Sequence, residues 1–262
     1  MRTDIKVGIT HGDINGIGYE VIFKALDDPR MLESFIPIIY GSSRIGAFHR
    51  KALEMPAINL NSIRSADEAT SRKIHIINCI DDEVKVDLGK STEVAGAAAF
   101  VALKLAVEDL KAGKIDVLVT APINKKNIQS ADFQFPGHTE YLEMMLGGES
   151  LMLMVGEKLK VGVVTGHQPL STVSKSVTVD EIVTKLQVLN SSLKNDFTIR
   201  RPRIAVLGLN PHAGDDGLLG SEEKDVIIPA IEQAKREGIM AIGPFPADAF
   251  LARGKRLNSM PF

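Results

Sequence analysis

The stretch that decides the fold is Lys6-Val-Gly-Ile-Thr-His-Gly-Asp-Ile-Asn-Gly-Ile-Gly18. Its first five residues form a short apolar run typical of a buried strand. Three glycines then punctuate a turn, and a helical pattern begins at Tyr19. A strand, a tight turn and a helix make the first half of a β/α unit. Because the same order recurs along the chain, the sequence predicts an α/β protein with a largely parallel sheet.

Eight strands and four helices are predicted from this periodicity. The predicted strands are Lys6–Thr10, Ile36–Tyr40, Ile74–Asn78, Val117–Thr120, Leu151–Val155, Lys160–Thr165, Arg203–Leu207 and Ala241–Gly243. The predicted helices are Tyr19–Leu26, Ser91–Lys111, Val179–Asn195 and Glu222–Glu237.

The turn at residues 12–18 has glycines spaced as G-x-x-x-G-x-G. A dinucleotide-binding turn has the spacing G-x-G-x-x-G, so the pattern supports a nucleotide site only weakly. A strand–helix turn that uses glycines for close packing explains the same residues.

Length and composition narrow the class of protein. A chain of 262 residues suits one large domain or two small ones, and the best candidate boundary is Phe135-Pro-Gly137, giving domains 1–135 and 136–262. With 44% hydrophobic and 24% charged residues, the chain is not disordered, collagenous or a coiled coil. A net charge of −2 gives no general attraction to nucleic acid or anionic lipid.

The chain has one cysteine, Cys79, which excludes an intrachain disulfide framework and a cysteine-rich zinc site. We predict a core position for this thiol. No apolar stretch is long enough to span a bilayer, and the first residues do not resemble a signal peptide. These features favour a cytoplasmic protein that binds neither membrane nor nucleic acid.

Six histidines divide into two groups. His49 lies in a basic helical stretch and is predicted at the surface, whereas His75 lies inside a strand and is predicted in the core. The remaining four follow strands or lie in glycine- and proline-rich loops: His11, His138, His167 and His212. Ligands bind at the carboxyl edge of a parallel sheet, where an imidazole can hold a metal, a phosphate or a hydroxyl.

Two of these histidines are candidate metal ligands. His167 follows a strand in Thr-Gly-His-Gln-Pro, and His212 follows another in Asn-Pro-His-Ala-Gly. Together they could bind one divalent ion, or they could be unrelated turn residues. His138 and Thr139 open a helix, where free amide groups suit a phosphate and where Thr139 could act as the cap. Lys125 and Asp248 lie in comparable loops and could contact an anion or accept a proton.

These loops occur in an order that resembles one family, the 4-hydroxythreonine-4-phosphate dehydrogenases of pyridoxal phosphate biosynthesis. The resemblance rests on residues 9–18, on Thr120-Ala-Pro-Ile-Asn-Lys125, on Pro136-Gly-His138-Thr139-Glu140 and on the loops at 165–170, 208–214 and 243–248. It implies a fold similar to isocitrate and isopropylmalate dehydrogenases, with two three-layer α/β/α domains, a cleft and a homodimer. The second domain would carry the dimer contacts and the metal and substrate site.

The resemblance also implies a reaction. NAD, or alternatively NADP, oxidises the secondary hydroxyl of 4-phosphohydroxy-L-threonine, and decarboxylation gives 3-amino-2-oxopropyl phosphate. His138 and Thr139 match the family's substrate-binding pair. His167 and His212 match two of its three histidine ligands to zinc, magnesium or cobalt. No residue is assigned to the nicotinamide cofactor.

The chain is expected to depart from the family after Phe250, where the strand pattern ends and the third histidine loop is missing. We therefore expect a C-terminally truncated chain that binds metal weakly and turns over poorly. Two other functions remain open. One is a related metal- and NAD-dependent dehydrogenase of a four-carbon sugar-acid phosphate, and the other is an inactive α/β binding protein.

Overall fold

The central strand of a five-stranded parallel sheet, β2, is buried along its whole length. This sheet belongs to a computed structural model that describes residues 5–81, 83–157 and 159–252. Its strands lie in the order β3-β4-β2-β1-β5, and each neighbouring pair is parallel. The strands are β1 (Lys6–Thr10), β2 (Ile36–Gly41), β3 (Leu60–Ile63), β4 (Ile74–Asn78) and β5 (Val117–Thr120).

Helices cover both faces of this sheet. They are α1 (Gly18–Leu26), α2 (Met31–Ser34), α3 (Ser43–Ala52), α4 (Glu93–Lys111) and α5 (His138–Leu146). Successive residues of β2 point to opposite faces. Ile39 packs in a cluster with Tyr19 and Phe23 of α1, whereas Ile38 packs in a cluster with Ala102 of α4. The result is a three-layer α/β/α arrangement.

The chain divides into two compact units, Met1–Gly148 and Glu149–Phe262. The division falls later than the sequence-based boundary at residues 135 and 136. Helix α5 belongs to the first unit because Tyr141 packs with Phe133 and with Leu103 of α4. His138 and Thr139 therefore lie in the first unit and not in the second.

The second unit contains two small sheets. Strands β6 (Leu153–Val155) and β7 (Lys160–Gly162) are antiparallel, and strands β8 (Ile204–Leu207) and β9 (Ala241–Phe245) are parallel. Its helices are α6 (Leu170–Ser176), α7 (Val179–Asn195), α8 (Ile228–Arg236) and α9 (Ala247–Ala252). A buried cluster that includes Ile182 and Leu186 of α7 and Ile231 of α8 forms the core of this unit.

The prediction of an α/β fold with a parallel sheet is confirmed. The sequence patterns missed β3, whose residues Leu-Asn-Ser-Ile carry little apolar signal. The predicted helix 222–237 is divided, because a π-helical turn at Glu223–Ile227 precedes α8. Pro229 has no amide hydrogen to continue the helical ladder at this point. The tail after Phe250, where a departure from the family is expected, lies largely outside the described residues.

No helix in the described part of the chain has the length and apolar character needed to cross a membrane.

Candidate functional site

The three histidines of the first unit that precede α4 all lie in the interior. The prediction of a surface position for His49 is wrong: it is 2% exposed, and its Nε2 lies 2.7 Å from the carbonyl oxygen of Ile14. The face of α3 that carries His49 packs against Tyr19, which explains this burial. His75 is buried, as predicted, and pairs with Asn61. Cys79 is half-buried against the core, and burial raises the pKa of its thiol to about 12.

His11 also turns inward, although its position after β1 suggested a ligand-binding residue. Its ring stacks on Tyr19 with centroids 5.6 Å apart, and it is fully buried. Burial lowers the pKa of His11 to about 4, so this imidazole is neutral at physiological pH. Gly41 makes room for the stack, because a β-carbon there would lie 3.0 Å from Cδ2 of His11.

The turn at residues 12–18 is closed by hydrogen bonds within itself and packs closely against the loop after β5. The amides of Asn15 and Gly16 donate to the side chain and the carbonyl of Asp13, at 2.8 and 3.0 Å. Gly12 has a φ of +71°, and a β-carbon on it would lie 2.3 Å from the carbonyl oxygen of Pro122. These contacts fit a tightly packed strand–helix turn.

The Asn15 side chain joins this turn to the segment before α4. Its Oδ1 accepts from the amide of Asp87 at 2.8 Å, and its Nδ2 donates to Lys90 O at 2.9 Å and to Thr92 Oγ1 at 3.0 Å. Thr92 is in turn the N-cap of α4, where its hydroxyl accepts from the amide of Ala95. A single buried amide therefore organises this end of the first sheet.

The loop after β5 carries Lys125. It is fastened to the turn after β1, because the amide of Asp13 donates to Pro122 O at 2.9 Å and Asn127 Nδ2 donates to Asp13 Oδ2 at 3.2 Å. The Lys125 side chain is exposed. Its Cε lies near Gly137, since a β-carbon added to that glycine would be 3.8 Å away.

Lys125 thus lies beside the N-terminus of α5, where His138 and Thr139 are found. The cap of this helix is Gly137, with no side-chain hydrogen bond, so the prediction that Thr139 is the cap is wrong. Thr139 lies one residue inside the helix. Burial, and then the positive charge of Lys125, lowers the pKa of His138. A neutral imidazole, a lysine and a helix N-terminus form a group that suits an anionic ligand, although Glu140 lies close by.

In the second unit, His167 is exposed and lies in the connection between β7 and α6. The neighbouring Gln168 accepts a hydrogen bond from Ser176 Oγ at 2.9 Å, which ties the connection to the end of α6.

His212 and Asp248 are brought together by the parallel pair β8 and β9. His212 follows β8 and Asp248 lies in the first turn of α9, directly after β9. His212 Nδ1 lies 2.9 Å from Asp248 Oδ2. This contact holds a hydrogen on Nδ1 and leaves the lone pair on Nε2 for a ligand, the arrangement typical of metal-binding histidines.

The backbone that presents His212 is left-handed. Five consecutive residues, from His212 to Asp216, have φ between 43° and 81°, and only Gly214 among them is a glycine. A left-handed turn costs about 1–2 kcal/mol for each residue with a β-carbon. Strain of this kind persists only where the surroundings hold it, and it concentrates at functional sites.

A buried carboxylate lies beneath this turn. Glu223 is 3% exposed and accepts from the Asn210 amide at 2.7 Å and from Asn210 Nδ2 at 2.9 Å. Burial acts to raise the pKa of Glu223, but the hydrogen bonds from Asn210 and the neighbouring backbone outweigh it and the pKa is lowered. The carboxylate is therefore ionised at neutral pH.

A divalent metal ion would need more ligands than the two histidines suggested by the sequence. His167 and His212 have the right donor chemistry for a divalent ion. Within residues 5–81, 83–157 and 159–252, however, no group of three or more His, Cys, Asp or Glu side chains could hold a metal.

Sequence patterns missed two residues that organise the candidate site, Asn15 and Glu223. Asn15 lies in a turn and Glu223 lies among charged residues at the start of the π-helical segment, so neither buried side chain belongs to a periodic apolar pattern. The glycines at 208, 214 and 220 were the available hint, because they leave room for the side chains of Asn210 and Glu223.

These features define an α/β protein with imidazole and carboxylate groups on the loops after its strands. Residues 33–259 match the family described as pyridoxal phosphate biosynthetic protein PdxA. The chain belongs to this family, which confirms the resemblance inferred from its motifs. The match extends past Phe250, where the sequence was expected to depart from the family.

Comparisons with individual relatives and solved structures support this family assignment. A 4-hydroxythreonine-4-phosphate dehydrogenase from Bacteroides thetaiotaomicron is 50% identical over 252 residues, which cover 95% of this chain and 69% of that protein. A relative from Oceanobacillus iheyensis, provisionally named a D-threonate 4-phosphate dehydrogenase, is 37% identical over 95% of this chain and 76% of its own length. The crystal structure of 4-hydroxythreonine-4-phosphate dehydrogenase from Klebsiella pneumoniae has a TM-score of 0.85 and 29% identity, covering 95% of this chain and 78% of that one.

Proposed function

We propose that the chain is a 4-hydroxythreonine-4-phosphate dehydrogenase that uses NAD and acts in the cytoplasm. The observation that carries the proposal is the His212–Asp248 pair on its strained turn, in a chain 50% identical to an enzyme of that name. When bound, NAD would accept the hydride from the secondary carbon of the substrate, and the hydroxyl proton would pass to a base. The ketone formed would lie β to the carboxylate, so the bond to the carboxylate would break to release carbon dioxide and an enolate. The enolate would take up one proton at carbon to give 3-amino-2-oxopropyl phosphate.

His138 and Thr139 are proposed to bind the substrate. The helix N-terminus and the charge of Lys125 favour an anionic group there, and the neutral His138 has a buried Nε2 without a hydrogen-bond partner in the described ranges. Lys125 would contact the anion. In this role, Lys125 and His138 orient the substrate before hydride transfer.

His167 and His212 are proposed as two ligands of a divalent ion, zinc, magnesium or cobalt. When bound, such an ion would lower the pKa of the substrate hydroxyl. Asp248 keeps the hydrogen of His212 on Nδ1 and is the candidate proton acceptor near this loop. Since the described residues contain no set of three ligands, we expect weak metal binding by this chain.

NADH formation tests the proposal. Purified protein would be assayed with 4-phosphohydroxy-L-threonine and NAD, with NADP in place of NAD, and with D-threonate 4-phosphate as the competing substrate. The proposal requires a higher kcat/KM for the hydroxythreonine phosphate than for the threonate phosphate. The opposite order would assign the chain to the sugar-acid reaction, and no turnover with either substrate would favour the inactive binding protein.

A homodimer is proposed as the assembly. Large apolar side chains of the second unit, Leu170 and Leu218, are exposed, as expected of a surface that a second copy covers. Sedimentation velocity would measure the mass in solution. A single monomeric species at micromolar concentration would contradict the dimer.

A further inference from the structure

We propose that Glu223 is the positioning residue of the His212 turn: its buried carboxylate holds Asn210, and Asn210 holds the left-handed backbone that presents His212 to Asp248. This inference deepens the proposed function at the same site, and only its metal-binding consequence rests on that function.

The first argument is the way in which Glu223 holds Asn210. One carboxylate oxygen accepts from the backbone amide of Asn210 at 2.7 Å, and the other accepts from its side-chain Nδ2 at 2.9 Å. The same Nδ2 also donates to Glu222 Oε2 at 2.7 Å. Backbone and side chain of Asn210 are thus fixed together, which leaves this residue little freedom to rotate.

The second argument is that the turn is shaped around the carboxylate. A β-carbon on Gly214 would lie 2.6 Å from Glu223 Oε2, and one on Gly208 would lie 3.2 Å from Glu223 Oε1. Residues on both sides of His212 therefore contact the same buried group. A π-helical turn begins at Glu223, and such turns are frequent at functional sites.

The third argument is energetic. His212, Ala213, Asp215 and Asp216 all have positive φ, a conformation that their side chains disfavour. A buried carboxylate with several donors gives charge-assisted hydrogen bonds, which are about twice as strong as neutral ones. These bonds offset part of the backbone strain, so the turn depends on Glu223 for its shape.

The path from Glu223 to His212 is short. The Asn210 carbonyl accepts from the amide of Ala213 at 3.1 Å, so Asn210 closes the loop that contains His212. If Asn210 is released, His212 loses the backbone geometry that sets its Nδ1 2.9 Å from Asp248 Oδ2.

The test uses Glu223→Gln, which preserves side-chain shape but replaces one acceptor oxygen with an amide group facing the donors of Asn210. The matched control is Glu232→Gln, the same chemical change on an exposed residue of α8. Nitrogen NMR of the His212 imidazole reports its tautomer and its Nδ1 hydrogen bond without any metal. In Glu223→Gln we expect the His212 signals to move toward those of Asp248→Asn. In the control we expect the signals of the parent protein.

Zn²⁺ titrated alone supplies the second readout. The dissociation constant should rise about ten-fold or more in Glu223→Gln and stay unchanged in Glu232→Gln. If the parent protein binds no zinc, the proposed metal site fails, whereas the NMR result still decides the positioning role of Glu223.

Should Glu223→Gln fail to fold, Asn210→Ala provides the same test. It removes the Nδ2 donor and keeps both the carboxylate and the backbone amide bond. The proposal requires the same direction of change in the His212 signals. A folded variant of either kind whose His212 signals and zinc affinity equal those of the parent would overturn it.

Discussion

His212 Nδ1 lies 2.9 Å from Asp248 Oδ2, and the two residues follow the adjacent parallel strands β8 and β9. Their side chains are 67% and 53% exposed. A hydrogen-bonded pair this exposed contributes little to stability. The contact therefore matters mainly for the orientation of the imidazole. A substitution of Asp248 should weaken ligand binding without a matching loss of stability.

Replacing Asp248 with Asn tests this expectation. The amide can still contact Nδ1 but no longer attracts its hydrogen with a full charge, so the affinity for Zn²⁺ should fall by about 10–100-fold. The melting temperature should stay within about 4 °C of the parent, because an exposed pair contributes at most about 1 kcal/mol, which corresponds to a shift of about 2–4 °C in a protein of this size. Calorimetric titration and thermal melts measure the two quantities.

Asp225→Asn is the control for that change, since Asp225 is also exposed in the second unit. It should leave zinc affinity unchanged. Equal losses in the two variants would attribute the effect to net charge and remove the special role of Asp248.

Lys125→Met should raise the pKa of His138. Burial is the larger cause of the lowered pKa and remains, so the pKa of His138 should rise but stay below that of a free histidine. NMR titration of the His138 ring would measure it. Lys126→Met removes a charge from the neighbouring exposed position and should have a smaller effect. If both variants raise the pKa of His138 equally, Lys125 is not the particular positive charge that lowers this pKa.

Gly96→Ala should destabilise the protein although alanine is the better helix former. A β-carbon at Gly96 in α4 would lie 1.8 Å from the carbonyl oxygen of Asn127, so the backbone would have to move. We expect a loss of about 1–3 kcal/mol in the free energy of unfolding, measured with urea. Ala97→Ser adds one atom to an exposed position of the same helix and should change stability by less than about 0.5 kcal/mol. A Gly96→Ala variant as stable as the parent would show that the contact between Gly96 and the Asn127 carbonyl leaves room for a β-carbon.

The buried His11 makes stability depend on pH. Its pKa is about 4 in the folded protein and 6.5 when exposed, so the unfolded chain binds more protons between these values. The free energy of unfolding should therefore fall as the pH drops from 6.5 to 4, by about 3 kcal/mol in total. His11→Asn should be less stable at pH 7 but should lose less on acidification. Urea unfolding at several pH values would measure this, and an unchanged pH dependence in the variant would contradict it.

Four of the five strands in the first sheet could be predicted closely because they are short apolar runs, whereas β3 was missed. β1, β4 and β5 have the predicted limits. The resemblance to a family could be inferred as well, because several short loop motifs occur in one order. The second unit was less predictable, since its strands are short and partly exposed.

Side-chain positions were harder to predict than elements. The basic stretch around His49 indicated a surface helix, yet the packing of α3 against Tyr19 buries this imidazole. His11 and His212 both follow strands, but one is buried and the other is exposed. Only tertiary contacts distinguish these two histidines, and a short sequence motif does not show which residues will pack around them.

The Asn15 side chain also has a consequence for motion. Its Oδ1 and its backbone carbonyl accept from the amides of Asp87 and Gly89, in a segment without helix or strand. These two amides can exchange with solvent only when their hydrogen bonds to Asn15 break. Hydrogen exchange at Asp87 and Gly89 should therefore be as slow as in the neighbouring sheet, so that an irregular segment opens together with the most protected part of the first unit.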